Sequence, residues 1–122
     1  MVVDARNGGR ILVDQFRAFG VERIFSVPGE SFLPIMDALL DVDGPDLLVM
    51  RHEGAAAMAA DAHGKLAGEP AICLVTRGPG ATNAAAGLHV ARQDSTPMIL
   101  CVGDIARGDR GREAFQALDY GR

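Results

Sequence analysis

The chain has 122 residues, 48% hydrophobic and 23% charged, with 15 glycines, no Trp and a formal charge of -4. A chain of this length can form a single domain that buries roughly two-thirds of the surface it exposes when unfolded, and the composition reads as an ordinary α/β chain rich in tight turns and argues against disorder. Acidic and basic residues are interspersed without a Lys or Arg cluster, which argues against a nucleic-acid partner, and no run approaches the roughly 20 apolar residues that cross a bilayer.

The opening MVVDARNGGR lacks the apolar core of a signal peptide, so the expected compartment is the cytoplasm. Ile11, Leu12, Phe16 and Phe19 then recur at helical spacing over residues 9–19, closed by Gly20. Residues 23–27 read as a short strand ended by Pro28-Gly29. Ser31 is expected to cap a second helix that carries Phe32, Leu33, Ile35, Met36, Leu39 and Leu40. After the turn DVDGPD, residues 47–50 form a strand, and 53–67 form an alanine-rich helix stopped by Gly68. Residues 71–76 are a third strand. The turn Arg77-Gly78-Pro79-Gly80 opens a small-residue helix to about residue 94, and 97–102 make a fourth strand. Cys73 and Cys101 sit inside the apolar runs AICLV and MILCV without metal-type spacing, which points to reduced thiols.

Strands alternating with helices predict an α/β fold, a doubly wound parallel sheet with helices on both faces. Ligands of such sheets bind beyond the carboxyl ends of the strands. Those ends carry Pro28-Gly29-Glu30, Arg51-His52-Glu53, Arg77-Gly78-Pro79-Gly80 and Gly103-Asp104, so the glycine-rich and charged segments collect on one edge.

Several chemistries are excluded by the letters. His52-Glu53 lacks the second His of a zinc-protease helix, because Ala56 stands there, and His63 and His89 form no ligand set; no metal ligand is assigned. Gly29-Glu30-Ser31 does not complete a nucleophile elbow, and no P-loop Lys follows a glycine run. Glu53 remains, at a strand-to-helix junction where the helix dipole alone favours an acid by about 0.3–1 kcal/mol. Gly54 and the alanines that follow leave room for a ligand or a second subunit to approach closely. The loop from Gly78 to Asn83, with Asp104 after the next strand, also matches part of a dinucleotide fingerprint, although Asn83 stands at its third glycine. A plain tight turn capped by Thr82 or Asn83 explains the same loop.

Taken in order, GGRILVDQFRAFGVERIFSVPGES, RHEGAAAMAADAHGKLAGEPAICLVTRGPGATN, QDSTPMILCVGD and GREAFQALD cover nearly the whole chain. As a set they resemble the N-terminal pyrimidine-binding domain of acetolactate synthase-like thiamine-diphosphate enzymes. The resemblance implies that Glu53 hydrogen-bonds N1′ of the cofactor aminopyrimidine and so activates it. It further implies that Pro28, Gly29, Glu30, Gly78, Pro79, Gly80 and Asn83 border the cofactor, and that Phe115 and Gln116 lie on the side of a 2-keto acid substrate. It implies thiamine diphosphate with Mg²⁺, decarboxylation or carboligation (lyase or transferase chemistry), and a second copy of the domain as partner.

The sequence departs from the family at Glu30, where acetolactate synthases usually carry a small residue, and at His63, where an aromatic often stands. The G-D-G motif that holds diphosphate and Mg²⁺ is not formed at Gly103-Asp104-Ile105 or at Gly108-Asp109-Arg110. Residues 1–122 are therefore expected to be an incomplete pyrimidine-binding domain. The diphosphate-binding domain would belong to a longer chain, or to a separate subunit. A nucleotide-binding oxidoreductase domain using Gly78-Gly80 and Asp104 is the competing reading, and a non-catalytic association domain is the third.

Overall fold

The computed structural model describes residues 6–121. Residues 1–5, part of the polar N-terminus discussed above, and Arg122 lie outside them. The elements run α1 (Gly8–Ala18), β1 (Arg23–Ser26), a 3₁₀ turn (Glu30–Phe32), α2 (Leu33–Leu40), β2 (Asp46–Val49), α3 (Glu53–Ala67), β3 (Ala71–Val75), α4 (Pro79–Gln93), β4 (Met98–Val102) and a second 3₁₀ turn (Arg107–Asp109).

All strand pairs are parallel, in the order β2-β1-β3-β4. Because the sequence alternates single strands with helices, each crossover must pack back on the sheet with right-handed sense. The step from β1 outward to β2 places α2 on one face, and the return to β3 and β4 places α3 and α4 on the other. The strands read as continuous apolar runs because both faces are covered. Ile24, Ile72 and Leu74 pack under α1 and α2 with Phe16 and Phe32. Their neighbours Phe25, Ala71, Cys73 and Val75 point the opposite way, against Ala56, Ala57, Ala60 and Ala84. The doubly wound α/β fold expected from the sequence is the fold observed.

Local chemistry sets the helix ends. Asn7 accepts the Arg10 N–H at 2.8 Å and starts α1; His52 Nδ1 accepts the Gly54 N–H at 3.0 Å and starts α3. Gly68, at φ 70°, ends α3 in the left-handed conformation that glycine adopts freely. The expected cap at Ser31 is not formed. The chain enters α2 through the 3₁₀ turn, and Ser31 Oγ instead pairs with Thr76 Oγ1 at 2.7 Å across the sheet edge. Nor does a side chain cap α4, where Thr82 Oγ1 donates back to the Gly78 carbonyl at 3.1 Å.

Small residues bring α3 and α4 into close contact. A Cβ on Gly87 would lie 2.4 Å from Ala57 Cβ, and one on Gly64 would lie 2.4 Å from the carbonyl oxygen of Pro97, in the segment that leads from α4 into β4. At the far end of this pair, Lys65 Nζ joins Asp61 at 2.7 Å to Asp94 at 2.6 Å. Lys65 and the facing Thr96 hydroxyl hold the Asp61 carboxyl below its ordinary range, although Asp61 Oδ1 and Thr96 Oγ1 are buried without a well-aligned bond.

Both cysteines are free. Burial, with the nearby charges of Cys101 and Glu53, pushes the Cys73 thiol up from 9.0 to about 12. Such a shift leaves roughly a thousandfold fewer thiolates at pH 8, and the thiolate is the reactive form. Cys73 should accordingly escape iodoacetamide in the native protein and label only on denaturation. Rapid native labelling at Cys73 would contradict its burial.

Candidate functional site

The order β2-β1-β3-β4 puts the switch point, where the chain reverses the side on which it adds strands, between β1 and β3, and open α/β sheets form a crevice there beyond the strand ends. The loops leaving those two strands are joined there. A Cβ on Gly29 would stand 2.6 Å from Thr76 Cβ, so only glycine lets the two loops meet this closely. Arg77 Nη2 pairs with Glu30 Oε1, and the Arg77 N–H reaches Ser31 Oγ at 3.4 Å.

Glu53 opens α3 beside the first turn of α4. Its residue surface is 8% exposed, and Oε2 accepts a hydrogen bond from Asn83 Nδ2 at 2.9 Å. Oε1 has no protein donor among the described residues. It faces Gly80, where a Cβ would stand 3.4 Å from Oε1 and 2.8 Å from Thr76 Cγ2. The missing side chain at Gly80 keeps that oxygen approachable. One oxygen fixed and the other open beside bare backbone is a geometry that receives a hydrogen-bond donor from a ligand.

The expected site residues fall into two clusters that share Thr76. Glu53, Asn83 and Gly80 form one; Gly29 and Glu30, with the Ser31 and Arg77 that bind beside them, form the other. Pro28 is exposed at the lip of the β1 loop, and Pro79 is exposed at the first position of α4. Phe115 and Gln116 arrive through their backbones. The Phe115 carbonyl accepts from Arg77 Nε at 3.3 Å, and the Gln116 carbonyl oxygen would be 2.3 Å from a Cβ on Gly78. The Phe115 side chain is 77% exposed.

Thr76, Ser31, Arg77 and Tyr120 complete the site beyond the residues expected there. The signal for Thr76 and Arg77 was their place between a strand end and a glycine turn; Tyr120, whose hydroxyl accepts the Gly78 N–H at 2.8 Å, left none. The dinucleotide reading meets two obstacles. The Gly78 N–H is already used by Tyr120, and Asp104 is held by the Ile105 N–H and by Arg110, which keep its carboxyl below its usual range.

Among the described residues, no group of three or more His, Cys, Asp or Glu is placed to hold a metal ion, and no helix is long and apolar enough to cross a membrane. A cavity of about 680 Å³ lies at the opposite edge, at the start of the strands, lined by Phe16, Phe19, Val21, His63 and Ile99 among others. It is remote in the fold from the strand ends that carry Glu53.

Comparison with known proteins agrees with the geometry. A family model described as "Thiamine pyrophosphate enzyme, N-terminal TPP binding domain" matches residues 6–121. The chain is 41% identical over 112 residues to an acetolactate synthase of Bacillus subtilis (strain 168), covering 92% of this chain and 20% of the relative. It is 41% identical over 113 residues to the acetolactate synthase isozyme 2 large subunit of Escherichia coli (strain K12), covering 93% and 20%. To the acetolactate synthase large subunit of Parasynechococcus marenigrum (strain WH8102) it is 40% identical over 116 residues, covering 93% and 19%. The chain thus spans about a fifth of the length of these relatives. With the sheet, the strand-end glycines and Glu53 arranged as described, the match over residues 6–121 shows that this chain belongs to the thiamine pyrophosphate enzyme family, as its N-terminal TPP-binding domain.

Proposed function

We propose that residues 1–122 are the pyrimidine-binding part of a longer thiamine-diphosphate enzyme that decarboxylates or joins 2-keto acids, in the manner of an acetolactate synthase. One observation carries this reading: the buried Glu53 carboxylate, with Oε2 fixed by Asn83 and Oε1 open beside Gly80. The open carboxylate oxygen fits the aminopyrimidine, whose ring nitrogen N1′, when protonated, would donate to Oε1. When bound, the cofactor supplies a thiazolium ring that accepts the electron pair left by carboxylate loss.

The chain's own residues hold and orient. Glu53 shares a proton with N1′, and Asn83 fixes the carboxylate rotamer that does so. Gly80 leaves Glu53 Oε1 approachable, Gly29 and Gly78 let the surrounding loops close to Thr76 and to the Gln116 carbonyl, and Pro28, Glu30 and Pro79 border the ligand. Phe115 and Gln116 stand on the substrate side. Mg²⁺ and the diphosphate are assigned to another domain or subunit. A second copy of this domain is the expected neighbour of α3 and α4, whose Met58 and Leu88 are each 41% exposed.

Thermal-shift titration of the full-length enzyme tests the reading. Thiamine diphosphate with Mg²⁺, at about 100 times its Kd, is expected to add about 2.7 kcal/mol of stability, with NAD adding nothing. Stabilisation by NAD alone would restore the dinucleotide reading of Gly78-Gly80 and Asp104.

A further inference from the structure

Arg77 sits between Thr76, which touches Gly29 and Ser31, and the Gly78-Gly80 turn that borders Glu53. Its side chain is 12% exposed, whereas that of its partner Glu30 is 68% exposed. The asymmetry has a physical consequence. A guanidinium withdrawn from water needs an anion beside it, because an uncompensated buried charge is strongly unfavourable. A carboxylate that remains in water loses little when it leaves an ion pair.

The Glu30 contact is therefore exchangeable in one direction: another carboxylate can replace Glu30, but Arg77 cannot stay without one. Asp104 does not fill that role. The Arg77 charge reaches it, but its Oδ1 accepts the Ile105 N–H at 2.8 Å and its Oδ2 is paired with Arg110. Nε of Arg77 is fixed by the Phe115 carbonyl at 3.3 Å, which aims the fork toward the β1 loop, where Nη2 meets Glu30. A planar guanidinium of this kind matches carboxylate geometry better than an ammonium does.

Resting on the reading that this chain serves a 2-keto acid enzyme, we propose that Arg77 is a specificity-determining residue. Its guanidinium receives the substrate carboxylate, and Glu30 is the internal carboxylate that occupies it between turnovers. Glu30 thereby competes with the substrate and favours donors whose carboxylate can displace it.

The test uses the full-length enzyme, with pyruvate as the anionic probe and methyl pyruvate, its neutral ester, as a competitive inhibitor. Arg77→Gln is expected to raise KM for pyruvate roughly 10- to 100-fold, the loss of a hydrogen bond to a charged group, while Ki for methyl pyruvate stays within about twofold. Arg77→Lys keeps the charge and should fall between the wild type and Arg77→Gln. Glu30→Gln removes the competitor and should lower KM for pyruvate several-fold. Parallel changes in KM and Ki, or a raised KM in Glu30→Gln, would overturn the proposal. Calorimetric titration with thiamine diphosphate and Mg²⁺ separates the two levels. A wild-type enzyme that does not bind the cofactor defeats the underlying reading, whereas unchanged cofactor binding with an unchanged KM in Arg77→Gln defeats the role of Arg77 alone. Should Arg77→Gln fail to fold, Arg77→Lys and Glu30→Gln carry the same comparison.

Discussion

Glu53→Gln in the full-length enzyme is expected to lower kcat on a 2-keto acid by about 10²- to 10⁴-fold, the usual contribution of a positioned proton-transfer group. The amide oxygen of Gln can still accept from Asn83 Nδ2, which in the wild type donates to Glu53 Oε2 at 2.9 Å, so the link between α3 and α4 survives. The other position then becomes an NH₂ beside Gly80. It can donate a hydrogen bond, but it cannot take a share of the N1′ proton as a carboxylate does. The unfolding midpoint should therefore move little, and cofactor binding should persist. Hydrogen–deuterium exchange at C2 of the bound cofactor gives the direct readout. An exchange rate equal to that of the wild type would remove Glu53 from the chemistry.

Gly87→Val is expected to have the largest effect on stability. Carbon atoms pack best at about 3.5–4.0 Å, and a Cβ at position 87 would already stand 2.4 Å from Ala57 Cβ and 2.9 Å from the Met58 backbone nitrogen. Neither Ala57 nor backbone can swing aside, so the helices must separate. Overpacking of this kind costs about 1–3 kcal/mol, and Val offers little of the helix propensity that makes Gly→Ala favourable at open positions by about 1 kcal/mol. Ala86→Val, one position away on the exposed side of α4, should change stability far less. Denaturant midpoints of the two variants give the comparison, and equal midpoints would refute the close crossing. Asn83 lies one helical turn before Gly87 on the same row, so separation there should also draw Nδ2 away from Glu53 and lower kcat.

The sequence by itself determined the elements and the sheet type. Alternating apolar runs and alanine-rich helical segments dictate period and direction, and parallel strands joined by helices leave few other arrangements. It also placed Glu53 at a strand-to-helix junction and brought the glycine turns to one edge, because local breakers such as Pro28-Gly29 and Gly78-Pro79-Gly80 act where they stand in the chain. What only the tertiary structure decided was pairing between residues far apart. Ser31 looks like a helix cap, and its hydroxyl is drawn to Thr76 because parallel pairing of β1 and β3 sets their trailing loops side by side. Asn83 looks like a capping residue or a misplaced fingerprint glycine, and it fixes Glu53 because Gly87 lets α4 lie close against α3. Arg77 and Glu30, 47 positions apart, meet for the same reason as Ser31 and Thr76. Hydrogen bonds and ion pairs form where chain crossings bring partners within about 3 Å, and those crossings follow from the packed sheet rather than from local sequence.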